Sequence, residues 1–318
     1  MTKRIQNRVA ESRWALPVTM VYALAVWLVA GLVQEGRWLQ AGCFGVSCYL
    51  MLQLNNVHAL IRIYSRMVTC SLVAMNCAGC FLFPTLSGAV VQMLMTGALL
   101  IILLAYQDTK ATEIIYYAFL LIGMTSAAVV HVLYLVPVLW ILMIFYLQCL
   151  SLRTWLASLL GLLTPYWFYG CWLLCRSTPA FQGMPLFGQG SGPSDLAAHF
   201  TPLLETEAQL SLPLHAQLLL LLVIIATLVG SVHFIRQSSA DRIRVRMCFA
   251  CFIWLNVTCL ALLLLQPQHF DWLIRLMMVC TAPLIGHFIA LSHTRPTNIF
   301  FIVAVLATLA LTIFNLFA

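Results

Sequence analysis

The sequence predicts an all-α integral membrane protein of about eleven transmembrane helices, built on the plan of two parallel five-helix repeats. Three observations predict it. The chain of 318 residues is 63% hydrophobic and 8% charged, whereas about a quarter of the residues of a soluble domain carry charge. Its apolar residues form continuous runs close to the ~20 residues that a helix needs to cross the hydrocarbon layer, not the alternating segments of a barrel strand. The lysines and arginines collect between those runs, where they set orientation.

In chain order, Lys3, Arg4, Arg8 and Arg13 precede an apolar run at 15–33. That run is longer than a signal-peptide core and no cleavage site follows it, so it is read as a retained first span. The next spans are 38–54, 67–83 and 89–106, each bounded by charged or turn-forming residues. The run 114–150 is interrupted only by His131 and Pro137. It is too long for one straight helix, and is read as spans 114–132 and 134–150 or as one span plus a re-entrant piece. Then come 155–175, 213–235, 247–265, 272–291 and 297–317.

Eleven spans with the N-terminus inside assign every loop to a side. Thirteen basic residues then fall inside and three, Arg37, Arg176 and Arg275, fall outside. This bias is what the positive-inside rule requires of a multi-pass protein of the cytoplasmic (inner) membrane, with its C-terminus outside. The net charge of +7 is therefore topogenic, and a nucleic-acid partner is not expected. Membrane lipids are. The one long connection, 177–212, is rich in glycine and proline, holds Asp195, Glu205 and Glu207, and is read as an outer loop able to act as a lid.

The twelve cysteines lie mostly within apolar runs, where a thiol behaves as a small hydrophobe. Cys77/Cys80 and Cys248/Cys251 have CxxC spacing but lack the second ligand pair of a zinc site. No metal and no cofactor is expected. P-loop and GxSxG patterns are absent, which removes support for ATPase and serine-hydrolase readings.

At an offset of 180 residues, Arg62-Ile63-x-x-Arg66-Met67 followed by Asn76 matches Arg242-Ile243-x-x-Arg246-Met247 followed by Asn256. Both stretches open a span that runs from inside to outside, as a parallel duplication demands. The division that follows is a first repeat at 1–133 (spans 1 to 5), a connector span at 134–153, and a second repeat at 154–318 (spans 7 to 11). Transporters of this plan hold substrate between the halves near the midplane.

Candidate binding residues are the polar ones that such a chain retains at a cost. Read as a continuous helix, Asn55, His58, Arg62 and Arg66 fall in one sector of about 80°. Arg62/Arg66 and Arg242/Arg246 are i, i+4 pairs suited to a phosphate or carboxylate. They serve equally as snorkelling anchors. Asn76 and Asn256 are the polar residues at mid-span, suited to line a central cavity or to fasten helices. Near the outer side, Asp271 and Arg275 form a further i, i+4 pair, with Arg176, Arg37, Glu35, His131, His215 and His269 in the same region.

The segments LNNVHALIRIYSRM and SLRTWLASLLGLLTPYWFYG resemble a family of multi-spanning inner-membrane proteins from Bacteroidota. The resemblance implies a cytoplasmic-membrane location and no particular activity. Three functions stay open. Transport or handling of an anionic or lipid-linked small substrate predicts a cavity lined by Asn76 and Asn256. An enzyme acting on a lipid-linked glycan or lipid at the outer face predicts Arg176, His131 or Arg275 converging on the outer-loop acids. A non-catalytic scaffold of an envelope assembly predicts no polar cavity.

Overall fold

The computed structural model describes residues 5–177, 212–292 and 294–317, the side chains of 173–177 and 240 excepted. Among these residues it is all helix, with twelve α-helices and no strand: α1 (Ile5–Ala10), α2 (Ala15–Val29), α3 (Trp38–His58), α4 (Met67–Ala78), α5 (Leu86–Ile102), α6 (Thr112–Ala128), α7 (Val136–Phe145), α8 (Leu152–Ser177), α9 (Leu214–Gln237), α10 (Ile243–Leu265), α11 (Phe270–Leu291) and α12 (Arg295–Phe317). Each apolar run of the sequence falls on one of them, and α1 is an addition. Five helical stretches, Leu86–Ala105, Leu214–Gln237, Ile243–Leu265, Pro267–Leu291 and Arg295–Phe317, are long and apolar enough to cross a membrane, the mark of a multi-pass membrane protein. The apolar helices α2, α4 and α6 are shorter. The outer loop expected at 177–212, its two end residues excepted, lies with its acids outside the described residues, as does the Arg176 side chain.

The run 114–150 is broken at Val129, whose backbone is extended (φ −141°, ψ 100°). A 3-10 stretch, Val130–Leu135, follows and leads into α7, where Pro137 lies in the first turn, a position at which its missing N–H costs nothing. Ten residues of α-helix rise about 15 Å, half the hydrocarbon thickness, so α7 can cross only as part of the longer apolar stretch Val130–Phe145.

The chain forms two compact units, residues 1–96 with 208–318, and residues 97–207. The first is organised on two buried helices. On α11 all residues but Asp271, Ile289 and Leu291 are buried, and on α4 all but Ala74. Both carry polar side chains, Asn76 on α4 and Arg275 and His287 on α11, that are better held against protein than against lipid. Around α11 the neighbours are α1, α4, α9 and α10; around α4 they are α2, α3, α11 and α12. Missing side chains let the backbones approach. A Cβ on Gly286 would stand 2.8 Å from the Val68 backbone nitrogen, and one on Gly230 the same distance from the Leu284 carbonyl carbon. The N-terminal helix is tied in by polar contacts, Gln6 Nε2 donating to the Ile289 carbonyl (2.8 Å) and the Gln6 backbone N–H to Asn298 Oδ1 (3.1 Å).

In the second unit α6 packs along α8. Gly123 and Gly161 face the opposite backbone, and a Cβ on Gly161 would lie 2.5 Å from the Tyr116 carbonyl oxygen. Tyr166 donates to Ser126 Oγ (2.8 Å), and the Tyr116 and Thr164 hydroxyls pair at 3.2 Å. Leu160, Leu163 and Trp167, one turn apart on α8, are exposed. Such an apolar stripe suits lipid rather than water.

Candidate functional site

The segment 55–67 is not a continuous helix. α3 stops at His58, Ala59 takes the left-handed conformation (φ 47°, ψ 49°), and α4 begins at Met67. The 80° stripe of Asn55, His58, Arg62 and Arg66 is therefore replaced by a turn between two helices. Asn55 holds it, its Nδ2 donating to the Ser65 carbonyl at 3.2 Å. The Ser65 hydroxyl in turn accepts the first backbone N–H of α4, that of Met67, at 3.3 Å. His58 is buried beside this turn.

The two arginines separate. Arg66 Nε donates to the Tyr64 hydroxyl (3.2 Å), with its guanidinium 5.2 Å from the ring centroid. Arg62 instead reaches the loop between α9 and α10, its Nε 2.8 Å from Asp241 Oδ1. This is a close ion contact whose N–H does not point along the line of a hydrogen bond. The other carboxylate oxygen, Oδ2, lies 3.1 Å from His287 Nε2 on α11. Asp241 and His287 have side chains 1% and 0% exposed, whereas that of Arg62 is 45% exposed. His233 follows, its ring centroid 5.6 Å from that of His287 and its Nδ1 3.4 Å from Ser292 Oγ. Phe234, Phe249 and Phe288 surround the two imidazoles. One carboxylate thus bridges a cation from the α3–α4 turn and an imidazole of the central helix.

The second copy of the basic motif behaves differently. Arg242 is exposed at the residue before α10, and Arg246 is half-buried one turn in. Asn256 accepts from Thr281 on α11 (3.3 Å), whose hydroxyl also pairs with Thr227 on α9 (2.7 Å). Asn76 donates to Leu72 of its own helix (2.9 Å). The two asparagines lie on helices that each pack on α11.

At the opposite end of α11, Arg275 is 4% exposed. Its Nε contacts Asp271 Oδ1 (3.2 Å), and its Nη2 donates to the Leu82 carbonyl (2.5 Å) and the Thr85 hydroxyl (3.0 Å). Gly88 leaves room for this pair, since a Cβ there would meet Asp271 Oδ2 and Arg275 Nε. A cavity of about 10 Å³ beside it is lined by Trp27, Gln40, Asn76, Gln92 and Arg275 among others. Arg37 pairs with Glu35, and His215 packs edge-on against Phe81. In the other unit His131 packs near Tyr134.

Comparison with protein-family models, with curated proteins and with solved structures returns no match for this chain. Its chemistry must be read from its own residues.

A larger space opens between α1, α2, α4 and α12. It is a groove of about 820 Å³ walled by residues such as Val18, Tyr22, Ala74, Phe301, Val305 and Leu309. Arg8 of α1 stands on its rim, exposed and without an ion pair among the described residues. Ala74, the one residue of α4 not buried by protein, faces it. Among the described residues no group of three His, Cys, Asp or Glu side chains converges as a metal site would need.

Asp241, His287 and His233 were not singled out by the sequence. The signal was present: Asp241 is one of nine acids in the chain, and His287 shares with Arg275 an otherwise apolar run at 272–291. An ionisable group held in a span requires a partner or a wet cavity, which makes an acid such as Asp241 the expected neighbour of His287.

Proposed function

We propose that the protein holds an anionic, acyl-bearing amphiphile, a lipid or lipid-linked substrate, at the inner leaflet of the cytoplasmic membrane. The groove carries this reading. Its walls on α12 run from Phe301 to Leu309, which is about 12 Å of helix, close to the depth of one hydrocarbon leaflet. Arg8 stands at the end where α4 begins, the end that the basic residues assign to the cytoplasm. An acyl chain along the apolar walls with an anionic head group at Arg8 satisfies both features.

The eleven-span topology, N-terminus inside, belongs to this proposal, and the two-repeat plan rests on the repeated RIxxRM motif. The test is the lipid that stays with the purified protein, read by native mass spectrometry. Ala74→Phe is expected to fill the groove and displace the bound lipid. Arg8→Ala is expected to keep a lipid but to lose about fivefold of the preference for anionic over zwitterionic head groups, the ~1 kcal/mol of one basic residue near a membrane surface. An identical lipid complement on all three proteins would sink the reading.

A further inference from the structure

At the C-terminal end of α11, apart from the groove, three elements meet on one carboxylate. The α3–α4 turn brings Arg62, the α9–α10 loop brings Asp241 itself, and α11 brings His287. Oδ1 faces Arg62 Nε at 2.8 Å and Oδ2 faces His287 Nε2 at 3.1 Å. With a guanidinium on one side the carboxylate is ionised, so it accepts from His287 Nε2–H and leaves the lone pair of that ring on Nδ1. Nδ1 is buried and has no hydrogen-bond partner among the described residues. His233 Nε2, on a ring whose centroid is 5.6 Å away, is buried without one as well. When His233 carries its own hydrogen on Nδ1, toward Ser292 Oγ at 3.4 Å, its Nε2 offers a lone pair beside His287.

The surroundings select the ligand. Phe234, Phe249 and Phe288 pack on the imidazoles, and among the described residues the two histidines and the acid do not converge as a metal site would need. A proton needs neither room nor further ligands. The charged groups acting on His287 are Asp241 and Arg62, and on His233 they are His287 and Asp241. The other elements packed here bring Val68 of α4, Phe249 of α10, Phe300 of α12 and Gln6 of α1, none of which titrates. Arg236, Arg242 and Arg244 are exposed, and Arg66 lies on Tyr64.

One carboxylate cannot serve two cations equally. An imidazolium at His287 sets a second positive charge against Asp241, and the two cations repel across it. Exposure decides which of them yields. The His287 side chain is 0% exposed and cannot leave, whereas that of Arg62 is 45% exposed and can turn to water. One proton thus exchanges the Arg62–Asp241 contact for a charged His287–Asp241 pair, and the α3–α4 turn loses its tie to the α9–α10 loop. A second proton, on His233, is resisted by the first.

We propose that His287, held by Asp241 and adjoined by His233, is a proton-binding site whose occupation releases Arg62 and the α3–α4 turn. Hydrogen–deuterium exchange of the backbone amides of 59–66, corrected for its intrinsic pH dependence, is followed by mass spectrometry on the full-length protein in detergent. Between about pH 8 and about pH 5.5 the protection of this turn is expected to fall at least about fivefold along a one-proton curve. His287→Gln, whose amide keeps a donor toward Asp241, should hold the protection flat. His58→Gln, which alters the histidine at the start of the turn, should leave the fall in place. Constant protection in the wild type overturns the proposal, as does a fall that survives in His287→Gln or vanishes in His58→Gln. Thermal unfolding gives a readout that needs no histidine variant. The drop in midpoint caused by Arg62→Ala should be at most about half as large at about pH 5.5 as at about pH 8. Imidazolium then serves the carboxylate in place of the guanidinium, a compensation present at acidic pH and lost as pH rises. Equal drops at the two pH values overturn the site.

Discussion

Arg62→Ala is expected to destabilise the protein by about 2–3 kcal/mol, and adding Asp241→Asn is expected to restore part of that loss. The removed guanidinium is the cation that faces Asp241 Oδ1, and the carboxylate it leaves behind is 1% exposed. Stranding a buried charge is what makes a broken ion pair costly. The cost falls below the 3–5 kcal/mol typical of a fully buried pair because the Arg62 side chain is 45% exposed, so its removal admits some water. Neutralising Asp241 then removes the stranded charge while an amide of the same shape still contacts His287. Denaturant titration of the two single variants and the double variant decides it: a double variant less stable than Arg62→Ala refutes the assignment. Arg66→Ala, which gives up only contacts to the exposed Tyr64, should change stability by less than about 1 kcal/mol.

Gly161→Leu should cost at least about 3 kcal/mol and loosen α6 from α8. Even a methyl group there would sit 2.5 Å from the Tyr116 carbonyl oxygen and 3.0 Å from the Leu120 backbone nitrogen. Both atoms belong to backbone, so no rotamer change relieves the clash and the helices must separate. Separation also strains the Tyr116–Thr164 and Tyr166–Ser126 hydrogen bonds that hold the same pair. Gly170→Leu, with nothing within 4 Å of its Cβ position, is the matched control and should be close to neutral. Equal thermal midpoints for the two variants would remove the close-packing account.

The helices were legible in the sequence because lipid-like runs between charged residues leave few other solutions. The interruption of 114–150 was legible from His131 and Pro137, although the break itself falls at Val129, a residue with no composition signal of its own. Periodicity failed at 55–66. An i, i+4 polar stripe and a polar turn between two antiparallel helices contain the same residue types, and the left-handed Ala59 that separates them cannot be read from an alanine. Asp241 and His287 are 46 residues apart, and nothing in a linear sequence states that the α9–α10 loop folds against the end of α11. The cavity at Trp27 and Gln92 was invisible for a similar reason. Its walls come from five separate stretches of chain, and an isolated Gln in an apolar run reads as one tolerated polar residue.

The burial of α11 also sets the order in which the molecule can be completed. Ribosomes deliver α4 roughly 200 residues before α11, an interval of about 10–40 s at ordinary elongation rates. Through that time the face of α4 that will meet α11 has only lipid or its earlier neighbours to lie against. The late helix is also the least apolar of the five long stretches, with a mean hydropathy of 1.7, and it carries Arg275 and His287 into the membrane. Its entry is therefore favoured by the Asp241 and Leu82 sites already waiting for it more than by its own affinity for lipid. Nascent chains arrested before Phe270 should accordingly be the forms that membrane quality-control proteases remove.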